Sequence, residues 1–449
     1  MVEKWTLLFE KINNNPNLIV LSLFFNCALL LDFHDIYTKN YYFLILLFSS
    51  VFLNFLNFKY WYTSIFSFLF TFCFYLYYFP RQANHCNLIL FFDFFLILIF
   101  FKNIFNASEI SFKKHQLTIK IAIICIYFYA GFHKLNYDFF NTQTSCSKHL
   151  LQKTLYFISG YDLEIPSIVT LFFAIVTLFI EIILPFGLLF KKTEKYVVVL
   201  CVFFHGFLGL SFFSDFSSFA AFLLIFCTIN LTSISKKLAL FIRIYIGFVL
   251  LSIVTELLVM KYKIIHNRFI FVSSLLFVIG WFNFFYYYLK HYNSGFTLSY
   301  ISKKSIIFCV VFLSIWSLKT YLGFGNLANL TMFSNLTTEI SRSNHLFINT
   351  KKTKLLNFEE DTVKIIAVCK DLKYEKLEGF LLPMVEFKYK IKEWTNHFEG
   401  KKLSATIVYN NKTFIIDDLK ESIYNEQKWY YKYLYYRKIQ TKESIECYW

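Results

Sequence analysis

The chain has 449 residues and is 57% hydrophobic, 22% aromatic and only 16% charged, with a mean hydropathy of +0.50. Such an apolar chain of this length excludes an ordinary soluble globular protein and predicts a polytopic membrane protein. The net charge of +16 comes mainly from lysines between apolar segments, a pattern that sets topology and contacts anionic headgroups. Since no nucleic-acid-binding motif accompanies the charge, we expect membrane lipid and not nucleic acid as a partner.

Apolar segments of about 20 residues, the length that crosses a bilayer, recur through the first three quarters of the chain. We predict an all-α bundle of about 9–11 transmembrane helices in residues 1–325. The stretch 136–165 is too polar to cross, and we expect it to lie on the membrane surface as a cap over a neighbouring site. The predicted spans lie near 16–33, 41–58, 61–79, 86–105, 116–134, 166–190, 195–214, 216–234, 237–259, 268–289 and 305–324.

Lysine and arginine are more frequent in the loops that lie in the cytoplasm when the N-terminus does. This preference predicts a cytoplasmic N-terminus and an extracytoplasmic C-terminal region. It also places Cys86 and Cys146 on the oxidising side, where a disulfide between them would join two loops, although either could remain a free thiol. The ten cysteines include no CxxC pair, so the sequence predicts no metal site.

Residues 326–449 contain most of the acidic groups and no segment long enough to cross a membrane. The stretches 362–372 and 404–416 have strand character, and Asn410-Asn411 predicts a hairpin turn in the second. Leu419–Arg437 has the apolar spacing of a helix. We therefore expect a small extracytoplasmic α+β domain at 326–449, docked on the outer face of the helical bundle.

The fifth apolar segment ends in the sequence YFYAGFHKLNYDFF, residues 127–140. A lysine at the end of a membrane-length segment commonly snorkels, with its stem in lipid and its ammonium in water. Alternatively, Lys134 is buried and desolvated, and it could then act as a base near neutral pH. The residues alone leave both interpretations open.

The motif AGFHKLNYDF, followed by SC, resembles the signature of the horizontally transferred transmembrane (HTTM) family, which includes the vitamin K-dependent γ-glutamyl carboxylase. In this resemblance Lys134 matches the base that deprotonates reduced vitamin K. His133 and Asn136 stand where the carboxylase has a lysine and an aspartate. The resemblance implies a reduced quinone (vitamin K or menaquinol) as cofactor, O2 and CO2 as co-substrates, and the bacterial cytoplasmic (inner) membrane as location.

Polar residues inside other apolar segments extend the resemblance. Asn84 and His85 lie in NHCNLILFFDFFLIL, similar to a carboxylase helix whose histidine is associated with carbanion chemistry; the alternative is an interfacial hydrogen-bonded histidine. Glu181 lies deep in an apolar segment, where a carboxyl group needs a partner or a proton. His205 could be a core hydrogen-bond partner, of Glu181 for example, or a quinone ligand or proton relay.

The segment MFSNLTTEISRSNHLF, residues 332–347, resembles the polar segment that bacterial family members carry after the last span. Asn344 and His345 would then lie over the Lys134 site; the alternative is a solvated linker. We expect His85, Lys134 and His345 to share one extracytoplasmic cavity. The predicted catalytic residues are Lys134, His85 and His205, and the predicted substrate or cofactor contacts are Asn84, His133, Asn136, Glu181, Asn344 and His345.

Two functions are consistent with these features. The first, implied by the resemblance, is a γ-carboxylase-like membrane enzyme that uses a reduced quinone to generate a strong base, abstracts a proton and carboxylates a peptide or another substrate. The second is a non-enzymatic membrane factor for maturation, export or immunity of a secreted peptide. A transporter is disfavoured, because the sequence has neither inverted repeats nor paired broken helices.

Overall fold

The structure, a computed structural model, is mostly helical and has one small antiparallel sheet near its C-terminus. It describes residues 15–32, 36, 40–57, 62–105, 109–211, 213–262, 267–292, 303–339, 341–440 and 447. Within these ranges, five helices are long and apolar enough to cross a membrane, which is consistent with an integral membrane protein. They are His115–His133, Ser167–Leu189, Lys236–Val259, Phe271–Lys290 and Lys303–Leu322.

A helix coincides with each apolar segment predicted from the sequence. Two of them, α1 and α10, are buried along almost their whole length, which is expected of helices that are apolar on every side. The stretch 136–165 contains the two short helices α6 and α7. The helices are α1 (Pro16–Leu31), α2 (Tyr41–Leu56), α3 (Tyr62–Tyr78), α4 (Asn84–Phe105), α5 (Glu109–His133), α6 (Tyr137–Phe140), α7 (Cys146–Ser159), α8 (Ser167–Leu178), α9 (Glu194–Leu210), α10 (Ser214–Thr228), α11 (Lys236–Tyr262), α12 (Asn267–Lys290) and α13 (Lys303–Leu318).

Pro185 interrupts the helix that begins as α8. It has no N–H to donate to the carbonyl of Glu181, four residues earlier, and its ring crowds that carbonyl. The chain accordingly widens into a π-turn at Phe179–Ile183 and tightens into a 3₁₀ turn at Leu184–Leu189. Gly131 of α5 packs against this irregular turn, since a Cβ there would lie only 2.5 Å from Ile182 Cγ1. Glu181 is thereby brought against the end of α5.

The C-terminal region folds around a four-stranded sheet. A single helical turn, α14 (Thr350–Thr353), precedes β1 (Thr362–Val368), β2 (Leu381–Pro383), α15 (Met384–His397), β3 (Ala405–Tyr409) and β4 (Lys412–Ile416). The strand order is β2-β1-β3-β4, with every pairing antiparallel. Asn410 and Asn411 form the β3–β4 turn with φ of 48° and 58°, which confirms the predicted hairpin. Phe387 and Trp394 of α15 pack on Ile365 and Ile407 of the sheet.

The helix predicted at Leu419–Arg437 is wrong. The backbone there pairs with the segment that follows the bundle, because Tyr435 O accepts hydrogen bonds from the N–H groups of Asn326 and Leu327. Gly325, with φ of 98°, permits this approach, since a Cβ at that position would lie 2.7 Å from Tyr435 O. The spacing of apolar residues could not reveal that this backbone pairing competes with helix formation. Only two 3₁₀ turns form, at Ile423–Asn425 and Trp429–Tyr433.

Arg81, in the loop between α3 and α4, anchors the C-terminal region to the bundle. Its guanidinium forms a buried ion pair with Glu386 of α15. It also lies 3.8 Å from the ring centroid of Tyr389 and 4.5 Å from that of Tyr435. A planar cation between two aromatic faces and a carboxylate fixes the orientation of the domain.

The predicted Cys86–Cys146 disulfide is wrong. Cys146, at the start of α7, is bonded instead to Cys447, 301 residues later, and the two Cα atoms are 4.8 Å apart. Cys86 keeps its thiol, which donates to Asp32 Oδ2 at 3.3 Å. Location of two cysteines on the same side of the bundle therefore does not determine that they form a disulfide with each other. Because Cys146 is bonded to Cys447, its sulfur is not available to Cys86.

Candidate functional site

One face of α5, continued by the residue that directly follows the helix, carries three polar side chains, Lys120, Tyr127 and Lys134, spaced seven residues apart. Seven residues are nearly two helical turns, so the three side chains lie on one face at intervals of about 10 Å. Each meets a polar partner from the following helices. The three pairs are Lys120–Glu194, Tyr127–His205 and Lys134–Glu181.

Lys134 is buried, with 3% of its surface exposed, and it does not snorkel to water. Its Nζ lies 3.0 Å from Glu181 Oε1 and 2.8 Å from Oε2, and it donates to Ala130 O at 3.2 Å. Glu181 is 7% exposed and sits in the π-turn that Pro185 causes. The intramembrane carboxyl group predicted to need a partner therefore has one, and that partner is Lys134, not His205.

His205, in α9, is 2% exposed, and its Nε2 is hydrogen-bonded to the hydroxyl of Tyr127. The other ring nitrogen, Nδ1, is buried and has no hydrogen-bond partner among the residues that the structure describes. A buried polar atom without a partner costs free energy unless a ligand or water satisfies it. Nδ1 is therefore the atom of this region most suited to contact a ligand.

Lys134, Glu181, Tyr127 and His205 line one cavity of about 290 Å³. Most of the other lining side chains are aliphatic or aromatic and come from α5, α8, α9 and α10. The helix α7 also contributes lining residues, so the stretch 136–165 covers this cavity as predicted. An apolar cavity with a few converging polar groups is the usual form of a small-molecule site. We call it the Lys134 cavity.

A second, more polar cavity of about 570 Å³ lies between the bundle and the C-terminal region. Asn84, His85 and Asp215 line it from the bundle, and Lys390 and Arg437 line it from the C-terminal region. We call it the outer cavity. The two cavities share the lining residues Phe216, Met332 and Phe333, which form a thin wall between them.

Met332 and Phe333 of the wall belong to a segment with an unusual backbone. Four non-glycine residues have positive φ: Ala328 at 59°, Leu330 at 64°, Phe333 at 50° and Asn335 at 52°. Such conformations cost of order 1–3 kcal/mol each and persist only where surrounding contacts enforce them. Asn335 supplies two such contacts, because its Oδ1 accepts from Cys146 N at 2.7 Å and its Nδ2 donates to Thr144 O at 3.0 Å.

Asn136 and Asn344 tie the wall segment to the end of α5. Asn136 Nδ2 donates to His133 O at 2.8 Å and to Ser334 O, and its Oδ1 accepts from Phe139 N at 2.9 Å as the cap of α6. Asn344 Nδ2 donates to Asn335 O at 2.8 Å and to Asp138 Oδ2 at 2.6 Å. Burial raises the pKa of Asp138, and the bond from Asn344 partly offsets that rise. Both amides are thus engaged by the protein.

His345 is likewise engaged by backbone groups. Its Nδ1 accepts from the N–H groups of Phe347 and Ile348 at 3.2 and 3.1 Å, and its Nε2 lies 3.0 Å from Phe132 O. These partners assign a neutral ring with its proton on Nε2. Burial lowers the pKa of His345, although the bond to Phe132 O opposes this.

His133, next to Lys134 in sequence, points away from the Lys134 cavity. Its Nδ1 lies 2.8 Å from the hydroxyl of Tyr321 and its Nε2 lies 2.7 Å from the hydroxyl of Ser317. Both ring nitrogens are therefore occupied. Asn84 also has a backbone partner, because its Oδ1 accepts from Leu330 N at 2.7 Å.

The expectation that His85, Lys134 and His345 share one cavity is wrong. Lys134 lines its own cavity, His85 lines the outer cavity across the wall, and His345 lines a third, shallow pocket. The physical reason is that the segment after α13 folds between these three side chains, whereas the prediction placed it as a cover over a single cavity. The structure instead brings Lys134 together with Glu181 and His205.

Three residues that contact the predicted site residues were not predicted from the sequence. One is Tyr127, although its spacing of seven residues from Lys134 indicates that both lie on the same face of the helix. Asp32 and Asp215 both face His85, with carboxylate oxygens 3.3 Å and 3.6 Å from its Nε2. They come from distant parts of the chain, and no local pattern connects them to His85.

Comparisons with protein-family profiles, with curated proteins and with solved structures find no match to this chain. The resemblance to the HTTM family therefore rests on the motif residues given above.

Proposed function

We propose that this chain is a polytopic γ-carboxylase-like membrane enzyme that uses a reduced quinone to generate a strong base. The observation that carries the proposal is the apolar Lys134 cavity, in which a buried ion pair lies beside a histidine nitrogen that has no hydrogen-bond partner within the described part of the chain. A lysine, a carboxyl group and an imidazole in one water-poor cavity suit proton abstraction.

The lining of the cavity fits a hydroquinone. Lys134 and His205 Nδ1 are the groups that would contact its hydroxyls, and the aromatic and aliphatic side chains would surround its ring. Leu200 and Phe203 also line the cavity, and they are 44% and 61% exposed on the outside of the bundle. The cavity thus borders a surface that would face lipid, from which a prenylated quinone would enter.

Lys134, Glu181 and His205 would hold the hydroquinone, which would supply, after reaction with O2, a base strong enough to remove a proton from an unactivated carbon; that carbon would then take up CO2. The chain's own contribution is to receive, at Lys134 Nζ, the proton that a hydroquinone hydroxyl gives up. Glu181 would orient Nζ toward the cavity through its 2.8 Å contact.

The outer cavity is the proposed site of the polar substrate, a peptide or another carbon acid. His85, across the wall from Lys134, is the group we assign to stabilise negative charge there. Phe216, Met332 and Phe333 line both cavities, so the substrate carbon would meet the base at these residues, whose apolar side chains would limit entry of bulk water from the outer cavity.

The proposal includes a topology. The Cys146–Cys447 disulfide supports an extracytoplasmic location for the C-terminal region, because such bonds persist in oxidising compartments. The N-terminus is then cytoplasmic, and the predicted spans, including helices shorter than the five long ones, cross the membrane. We place the protein in the bacterial cytoplasmic (inner) membrane, as the family resemblance implies.

The test is binding and oxidation of reduced menaquinone by the full chain purified in detergent. We expect saturable binding by the wild type and at least a tenfold loss of quinol oxidation in Lys134→Met. The matched control is Lys120→Met, which removes a lysine from another buried ion pair of α5 outside the cavity. This control should retain binding and oxidation if it stays folded, as judged by its thermal transition.

Absence of quinol binding in folded wild-type protein would contradict the proposal. It would favour the alternative, a non-enzymatic factor for maturation, export or immunity of a secreted peptide, in which Lys134 and Glu181 act only as a structural ion pair. Equal loss in both lysine variants would also contradict a specific role for Lys134.

A further inference from the structure

Asp32, His85 and Cys86 form a compact cluster at the boundary of the outer cavity. One potential ligand atom from each residue lies within 4.8 Å of the others. Asp32 Oδ1 is 3.3 Å from His85 Nε2, and Asp32 Oδ2 is 3.3 Å from Cys86 Sγ. Tetrahedral zinc sites have metal–ligand bonds of about 2.0–2.3 Å, which place ligand atoms about 3.3–3.8 Å apart. The two 3.3 Å distances run to different oxygens of Asp32, and small side-chain shifts would bring one oxygen, the imidazole nitrogen and the sulfur to this spacing.

The cluster also combines groups that attract a cation. Two carboxylates, from Asp32 and Asp215, approach the same nitrogen, His85 Nε2, at 3.3 and 3.6 Å. This nitrogen carries at most one hydrogen, so it cannot donate well to both oxygens. Asp32 and Cys86 are nearly fully buried, so water has little access to their donor atoms. Carboxylate oxygens beside a thiol and an imidazole are donors that one divalent cation can bind together.

We infer that Asp32, His85 and Cys86 bind a divalent transition-metal ion, with zinc as the best fit. One thiolate, one imidazole and one carboxylate are the donor types that zinc accepts. His85 and Asp215 both line the outer cavity, so a fourth ligand would come from Asp215 or from a molecule in that cavity. Binding releases the proton of the Cys86 thiol.

Tyr75 provides the supporting contact that such a site needs. Its hydroxyl donates to Asp32 Oδ2 at 2.5 Å and orients the carboxylate. Partners of this kind typically change metal affinity by about 10–100-fold. A metal bordering the outer cavity would also polarise a carbonyl or carboxylate of a substrate bound there.

The inference is independent of the Lys134 cavity, and its test does not use enzymatic activity. The full chain is purified in detergent without chelator, and its metal content is measured by mass spectrometry. The protein is then stripped with a chelator and titrated with Co²⁺, whose thiolate complexes have a characteristic charge-transfer absorption. We expect about one zinc per chain and a cobalt–thiolate band that saturates at one equivalent.

Variants locate the site. His85→Gln and Cys86→Ser should lose the stoichiometric metal, and Tyr75→Phe should bind Co²⁺ about 10–100-fold more weakly. The matched control is Cys73→Ser, because Cys73 is an exposed thiol on the same helix as Tyr75 but outside the cluster. This control should keep both the metal and the band.

The wild-type titration alone can overturn the inference, even if a variant fails to fold. Folded wild-type protein with only trace metal and no cobalt–thiolate band would show that the cluster is held by hydrogen bonds alone. A band that survives in Cys86→Ser but disappears in Cys73→Ser would place the metal elsewhere.

Discussion

At the scale of the residue, burial decides between interpretations that the sequence leaves open. Lys134 could snorkel or lie buried, and the structure buries it against Glu181. The sequence could indicate that an intramembrane carboxyl group needs a partner, since an unpaired charge is costly there. It could not indicate which partner, because that depends on how the turn around Pro185 packs against Gly131.

His345 gives a prediction about pH and stability. Its pKa is lowered by burial, so the folded state favours the neutral ring. Its stabilising contribution is therefore present above the ordinary histidine pKa of 6.5 and is lost as the pH falls through the lower pKa of the folded state. We expect the melting temperature to fall less between neutral pH and about pH 5 in His345→Gln than in the wild type.

The matched control for this measurement is His397→Gln, because His397 is an exposed histidine at the end of α15. Thermal unfolding in detergent, followed by circular dichroism, compares the three proteins. An identical pH dependence in wild type and His345→Gln would show that His345 does not titrate with unfolding.

At the scale of the element, α5 organises the polar interior of the bundle. Lys120 and Tyr127 of this helix, and Lys134 directly after it, meet Glu194, His205 and Glu181 in turn. A repeat of seven is visible in the sequence once all three residues are considered together. The partners are not visible in the sequence, because Glu181 is positioned by the π-turn at Phe179–Ile183 and Glu194 and His205 by the packing of α9.

Gly131 tests the packing that positions Glu181. A Cβ there would lie 2.5 Å from Ile182 Cγ1 and 3.0 Å from Glu181 Cβ, so Gly131→Ala forces the helices apart. Overpacking of this kind costs typically 1–3 kcal/mol, and we expect a loss of about that size together with weaker quinol binding.

The matched control for Gly131 is Gly247→Ala in α11, where an added Cβ would meet only Phe55 Cε2 at 3.4 Å. That change should be neutral, or stabilising by up to about 1 kcal/mol, because alanine has the higher helix propensity. Chemical unfolding of both variants measures the difference. A Gly131→Ala protein as stable as Gly247→Ala would contradict the close packing.

At the scale of the whole molecule, hydropathy predicted the helices well and the C-terminal region only in part. Apolar length is a local property, so each predicted span coincides with a helix. The β3–β4 hairpin was also local, since its turn residues mark it. The failed helix at 419–437, the disulfide and the divided cavity all depend on contacts between distant segments, which spacing does not encode.

The disulfide makes a prediction for the whole chain. Digestion without reduction should release a peptide pair that joins Cys146 to Cys447, while Cys86 is recovered as a thiol. The C-terminal region should also be accessible to a protease added to spheroplasts, whose outer membrane has been opened. A linkage between Cys86 and Cys146, or protection of that region, would contradict the assembly and topology described here.

The most direct test of the central claim is to map where a quinone binds. A photoreactive menaquinone analogue is added to membranes that contain the full chain, illuminated, and located by peptide mass spectrometry. We expect labelling of residues in α7 and α9 that line the Lys134 cavity, and we expect excess menaquinone to suppress this labelling. Labelling that is absent, or lies elsewhere and survives competition, would contradict the assignment of this cavity to a quinone.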